Sequence, residues 1–86
     1  MSRTSLLLAT VAYYLLTFSA NAAVEEGLAA LEQGDLETAA RQFQQSFEAG
    51  DADGAFYLGR MYELGLGTDP DLPRAADLFR VAAEAD

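Results

Sequence analysis

The chain has 86 residues with 14 acidic and five basic side chains, so its formal net charge is −9. It contains no lysine, histidine or cysteine, which excludes the common zinc sites, the Cys–His and Ser–His–Asp catalytic arrangements and lysine-dependent chemistry. The acidic balance also argues against nucleic acid, which needs a basic footprint on the protein. Length and charge therefore predict one small acidic domain.

The N-terminal segment has the pattern of a secretory signal peptide. Arg3 gives a positive start, the apolar run LLLATVAYYLLTF follows, and a small-x-small Ala-Asn-Ala triplet ends at Ala22. This pattern predicts a signal peptide over residues 1–22, cleavage before Ala23 and a periplasmic or secreted mature protein. The alternative is an uncleaved signal anchor, because the uncharged stretch 4–24 is just long enough to span a membrane.

Two segments of the remaining chain repeat each other. DLETAARQFQQSFEAG, residues 35–50, and DLPRAADLFRVAAEAD, residues 71–86, are identical at seven of 16 aligned positions. A period of this length is typical of helical repeats, in which each unit is a hairpin of two helices. The sequence therefore predicts a first repeat over residues 23–50 and a second over residues 51–86.

In the first repeat we expect a helix from about Val24 to Gln33, ended by Gly34, and a second helix capped by Asp35. Apolar residues on one side of each helix predict the buried faces. They are Val24, Gly27, Leu28 and Leu31 in the first helix, and Ala39, Ala40, Phe43 and Phe47 in the second.

In the second repeat we expect a helix from about Asp53 to Leu64, a C-cap at Gly65 and a second helix capped by Asp71. The first of these helices carries two apolar stripes, which predicts neighbouring helices on both sides, and Gly59 marks a close helix contact. One stripe consists of Ala55, Leu58, Gly59 and Tyr62, and the other of Tyr57, Met61 and Leu64. The second helix of this repeat is expected to bury Ala75, Ala76, Phe79, Ala82 and Ala83.

The second repeat resembles the Sel1-like repeat, a relative of the tetratricopeptide repeat, and the first resembles a tetratricopeptide or short Sel1-like unit. The residues that carry the resemblance are Leu58-Gly59, Tyr62, Gly65, Gly67, Asp71, Arg74-Ala75 and Ala82-Ala83, and in the first repeat Gly27, Gly34, Ala39 and Phe43. The resemblance implies an all-α solenoid that binds other proteins and is not an enzyme. Some secreted relatives are stapled by disulfides and linked to cell-wall substrates, whereas this chain has no cysteine.

Phe56, Arg60 and Glu63 lie off the main buried face of their helix, and we predict that they contact a partner. The alternative is that Arg60 and Glu63 form an exposed i,i+3 ion pair and that Phe56 packs at a chain end. The nearby Asp51 and Asp53 only faintly resemble a calcium loop and are interpreted as a helix start with Asp53 as the cap.

These observations predict an exported protein–protein interaction module, an adaptor or scaffold, that binds a protein or peptide and needs no cofactor or metal. Contact with a membrane is expected only if the signal segment stays uncleaved. The alternatives are a membrane-anchored assembly subunit and an accessory factor acting on the cell wall. Repeat arrays usually need three or more units. We therefore expect the mature chain to be weakly stable alone and to self-associate or dock on a partner through its C-terminal end; the alternative is that it is a piece of a longer array.

Overall fold

The computed structural model describes residues 20–85, which are all-helical and contain no strand. Helix α1 covers residues 20–32, α2 is Leu36–Glu48, α3 is Ala52–Leu64 and α4 is Leu72–Glu84. The predicted all-α class is therefore confirmed for this part of the chain. Most of the predicted signal peptide lies outside the described residues. Within residues 20–85 no helix is long and apolar enough to cross a membrane.

The helix ends lie where local sequence signals predict them. The Asp35 carboxylate accepts a hydrogen bond from the Thr38 backbone N–H at 3.2 Å, and Asp71 accepts one from Arg74 N–H at 3.1 Å. Gly65 ends α3 with a left-handed φ of 69°. The side chain and then the backbone N–H of Thr38 hold the pKa of Asp35 below its usual value. The predicted caps at Asp35, Gly65 and Asp71 are confirmed, because each depends only on a short segment of chain.

The predicted cap of α3 was wrong by two residues. Asp51, and not Asp53, is the N-cap, and its carboxylate accepts a hydrogen bond from the backbone N–H of Asp53 at 2.9 Å. The helix begins at Ala52, so Asp53 lies inside the first turn. Gly50, with φ of 90°, turns the chain directly before the cap. This short link leaves Asp51 as the residue that precedes the free N–H groups of the new helix.

Helix α3 lies in the middle of the molecule and packs against both α2 and α4. Phe43 of α2 is fully buried, and its ring stacks on Tyr57 of α3 with centroids 5.2 Å apart. The core cluster consists of Ala30, Ala39, Phe43, Ala55, Leu58, Met61 and Leu78. The prediction that α3 has helical neighbours on two sides is therefore confirmed.

Three residues expected in the core are exposed instead. Leu64 is 54 % exposed at the end of α3, and Ala76 and Ala83 are exposed on α4. Leu78, which lies one position before the expected phenylalanine, is buried. Helix α4 therefore turns the face of Ala75 and Leu78 towards α3, and the neighbouring face carries the exposed alanines.

The same glycine–phenylalanine contact occurs in both hairpins. A Cβ atom built on Gly27 of α1 would lie 2.5 Å from Cε1 of Phe43, and one on Gly59 of α3 would lie 2.8 Å from Cε1 of Phe79. The close helix contact predicted at Gly59 is confirmed. In each hairpin a glycine of the first helix lets the phenylalanine of the second helix approach the backbone.

Ser46 has the single fully buried hydroxyl among residues 20–85 that lacks a hydrogen-bond partner. Its place in the second repeat is taken by Ala82. We expect Ser46→Ala to raise the free energy of unfolding by about 1 kcal/mol, because an unpaired buried hydroxyl is lost and alanine favours the helix. Urea unfolding followed by circular dichroism measures this change. A loss of stability would show that the hydroxyl has a partner in solution.

Candidate partner-binding surface

The structure brings Phe56, Arg60 and Glu63 together on one exposed ridge of α3, since spacings of four and three residues place side chains on the same side of a helix. Phe56 is 44 % exposed. Arg60 Nη1 donates a hydrogen bond to Glu63 Oε1 at 2.7 Å. The ion pair of the alternative interpretation therefore forms. Because half of the arginine side chain is exposed, the pair adds only a few tenths of a kcal/mol.

Phe56 also belongs to a row of aromatic rings that joins three helices. Its ring meets Tyr57 edge-on with centroids 5.3 Å apart, and it lies 5.8 Å from Phe79 of α4. Tyr57 in turn stacks on Phe43 of α2. One side of Phe56 is thus held by the protein while the other faces solvent. A held aromatic ring is a good recognition group, because it loses little side-chain freedom when a partner covers it.

Between α3 and α4 lies an open groove of about 400 Å³ beside this ring. It is lined by Ala52, Asp53, Phe56, Phe79, Ala82 and Ala83. Five of the six residues are apolar, and Asp53 places a carboxylate at the rim. The groove fits an apolar side chain accompanied by a positive or hydrogen-bonding group.

Sequence reasoning missed the α4 side of this groove. Phe79, Ala82 and Ala83 were expected to be buried, and the periodicity of one helix does not show which part of its apolar face a neighbour leaves open. The signal that was available is the alignment of Phe79 with Phe43, which marks two equivalent faces. Among residues 20–85, only the face on α2 is covered by another helix.

The arginines of the described helices are engaged within the chain. Arg60 pairs with Glu63, Arg80 pairs with Asp77 at 2.9 Å, and Arg74 lies over the Tyr62 ring at 4.8 Å from its centroid. The fourth, Arg41, lies 4.0 Å from Glu37 and donates to the Thr38 hydroxyl. The surplus of carboxylates is therefore left without positive neighbours, which favours partners that carry positive charge.

Within residues 20–85 no group of three acidic side chains is placed to hold a metal ion. No protein-family model matches the chain, and neither the curated proteins nor the solved structures contain a match. Residues 20–85 are all-helical and form two helical hairpins, each with an equivalent glycine–phenylalanine contact. A groove lined by two aromatic rings opens to solvent beside the second hairpin.

Proposed function

We propose that the chain is an exported protein–protein interaction module, an adaptor or scaffold built from two Sel1-like or tetratricopeptide-like repeats. The repeated contact of Gly27 with Phe43 and of Gly59 with Phe79 is the observation that carries this proposal. In a solenoid each hairpin stacks on the next one. The position of α3 between α2 and α4 supports such stacking.

The partner is a protein or peptide segment that binds along the ridge of Phe56, Arg60 and Glu63. An apolar side chain of the partner covers the exposed side of Phe56. A basic side chain of the partner lies close to Glu63 or Asp53, because the chain has an excess of negative charge. The proposal includes no catalysis and no cofactor.

The ridge is tested by exchanging its two charges in the double variant Arg60→Glu/Glu63→Arg. This exchange keeps the net charge and an i,i+3 ion pair, so stability should change by no more than a few tenths of a kcal/mol. If the partner's charges are complementary to those at positions 60 and 63, the exchange places like charges next to each other at the interface. Like charges at an interface oppose binding. We expect the double variant to lose the partner while folding normally.

Crosslinking from an envelope fraction, with tagged wild-type and double-variant chains side by side, measures this effect. The expected result is a protein captured by the wild type and depleted at least tenfold with the variant, which corresponds to about 1.4 kcal/mol. Thermal melts of the two chains supply the folding control. Equal capture by both chains would mean that Arg60 and Glu63 serve only as an ion pair on the helix.

Export is tested separately by the intact mass of the protein recovered from the envelope. We expect a mass that starts at Ala23. Cleavage there leaves residues 23–32 of α1, which retain Gly27 and its contact with Phe43. A full-length species that needs detergent for extraction would contradict this and would favour the membrane-anchored assembly subunit instead.

A further inference from the structure

The outer face of α4 is equivalent in sequence to a face of α2 that is covered by α3 and the turn after it, through Tyr57 on Phe43 and Gly67 on Leu36. The repeat aligns Leu36, Ala40, Phe43 and Phe47 of α2 with Leu72, Ala76, Phe79 and Ala83 of α4. On α2, Phe43 is fully buried and the other three are partly buried. On α4, Leu72 is 64 % exposed, both alanines are exposed and Phe79 is only partly buried. Among residues 20–85 no helix covers this second face.

The four residues of this α4 face form a straight seam. Their spacings of four, three and four residues place them along one side of the helix, as in the seam of a coiled coil. Large and small side chains alternate along it, in the order Leu72, Ala76, Phe79 and Ala83. If a second α4 lies antiparallel across the seam, Leu72 falls opposite Ala83 and Phe79 falls opposite Ala76. Each large side chain then meets a small one, which is the pattern that packs without voids.

In this antiparallel pairing, the groove between α3 and α4 of one copy accepts Leu72 of the other. Ala83 lines the groove near the C-terminal end of α4, and Leu72 projects from the N-terminal end, about 16 Å away along the helix axis. An antiparallel pair therefore places Leu72 of each copy over the groove of the other. A two-fold axis relates the two copies, so the same Leu72–groove contact forms twice. The α4 face is therefore complementary to itself.

We propose that a second copy of the chain binds the α4 face, in a two-fold antiparallel dimer with Leu72 of each copy in the groove beside Phe79 of the other. The inference goes beyond the proposed function, since it requires no other protein. Asp77 and Arg80 pair with each other, are exposed and lie outside the seam, so none of the four seam residues is charged. Both copies are acidic, so salt screens their repulsion and strengthens the dimer.

A head-to-tail stack of copies is a poorer occupant of the same face. In such a stack α1 of the next copy would take the place that α3 holds on α2. When Gly27 is aligned with Gly59, the residue of α1 at the position of Tyr57 is Glu25. A carboxylate would then lie on the Phe79 ring and lose its water, which is unfavourable without a partner charge. The antiparallel pair buries no charge on the seam.

The test compares two variants with the same charge change on exposed alanines. Ala76→Glu places a carboxylate in the middle of the seam, whereas Ala29→Glu places one on α1, away from it. Sedimentation equilibrium of the purified exported chain across a hundredfold concentration range measures self-association. We expect a dimer for the wild type and for Ala29→Glu. For Ala76→Glu we expect the dissociation constant to rise about tenfold or more, since the interface would bury an unpaired charge.

A second matched pair removes the effect of charge. Leu72→Ser should weaken the dimer, whereas Leu64→Ser, a change of another exposed leucine, on α3, should leave it intact. Circular dichroism confirms that each variant is folded, and a tighter dimer at higher salt is expected for the wild type. A wild-type monomer at every concentration, open-ended oligomers, or equal weakening by Ala76→Glu and Ala29→Glu would each overturn the proposal. Because no partner protein is present, these results do not depend on the ridge experiment.

Discussion

Replacing Phe43 with alanine is expected to lower the free energy of unfolding by about 3–5 kcal/mol, the usual cost of deleting a fully buried phenylalanine ring. Phe43 is 0 % exposed, touches Gly27 of α1 and stacks on Tyr57 of α3. Its removal therefore leaves a cavity at the point where three helices meet. Small domains have little stability to spare, so this variant should be largely unfolded at room temperature.

The matched variant is Phe79→Ala, which removes the same side chain from the equivalent position of the second repeat. Phe79 touches Gly59 and Phe56 but keeps one side in solvent, so its deletion should cost about 1–2 kcal/mol. Urea unfolding at low protein concentration, where the chain is monomeric, measures both changes. Phe43→Leu provides a milder variant if Phe43→Ala does not fold. Equal losses for the two alanine variants would show that something covers Phe79 as fully as α3 covers Phe43.

The features of the fold that sequence predicts well are those decided by a few adjacent residues. The capping role of Asp35 and Asp71 and the left-handed turn at Gly65 follow from side-chain reach and backbone sterics alone. The assignment of Asp53 as a cap was wrong for the same local reason. Two aspartates two residues apart are equally good caps, and only the position of the preceding turn at Gly50 selects Asp51.

Burial on α4 was harder to predict because it depends on a neighbour. The repeat predicts the same buried face on α2 and α4, and α3 covers that face only on α2. Ala76 and Ala83 are consequently exposed although their counterparts on α2, Ala40 and Phe47, are partly buried. Sequence identity between repeats predicts which face is able to bind a helix, and it does not predict whether a helix is there.

The candidate site divides in the same way. Helical periodicity was enough to place Phe56, Arg60 and Glu63 on one ridge outside the core. The groove beside them needs Phe79 of α4 to lie next to Phe56 of α3, and that distance is set by how closely the two helices approach at Gly59. The periodicity of a single helix cannot predict this contact, because Phe56 and Phe79 are 23 positions apart and lie on different helices.

Gly54→Ala is the second substitution with a large expected effect, and its sign is opposite to the one that helix propensity predicts. Alanine is favoured over glycine in a helix by about 1 kcal/mol. However, a Cβ atom on Gly54 would lie 2.5 Å from the backbone nitrogen of Phe47 and 2.7 Å from the Ser46 hydroxyl oxygen. The Phe47 nitrogen belongs to α2 and moves only if the helix moves. We therefore expect a net destabilisation of about 1–3 kcal/mol.

Two comparisons show whether the backbone of α2 is the cause. Gly59→Ala meets the ring of Phe79 at 2.8 Å and the Cβ of Leu78 at 3.3 Å, which are side-chain atoms and not backbone, so its effect should be smaller than that of Gly54→Ala. Combining Gly54→Ala with Ser46→Ala removes the hydroxyl oxygen but leaves both the Phe47 nitrogen and the Cβ atom of residue 46, at 2.8 Å, in place. Urea unfolding of the two single variants and the double variant gives the coupling energy. If the clash lies with the atoms that Ser46→Ala leaves in place, the Phe47 nitrogen and the Cβ of residue 46, the effects add to within about 0.5 kcal/mol. A full rescue by Ser46→Ala would assign the clash to the serine, and a stabilised Gly54→Ala would mean that α2 and α3 are less closely packed in solution.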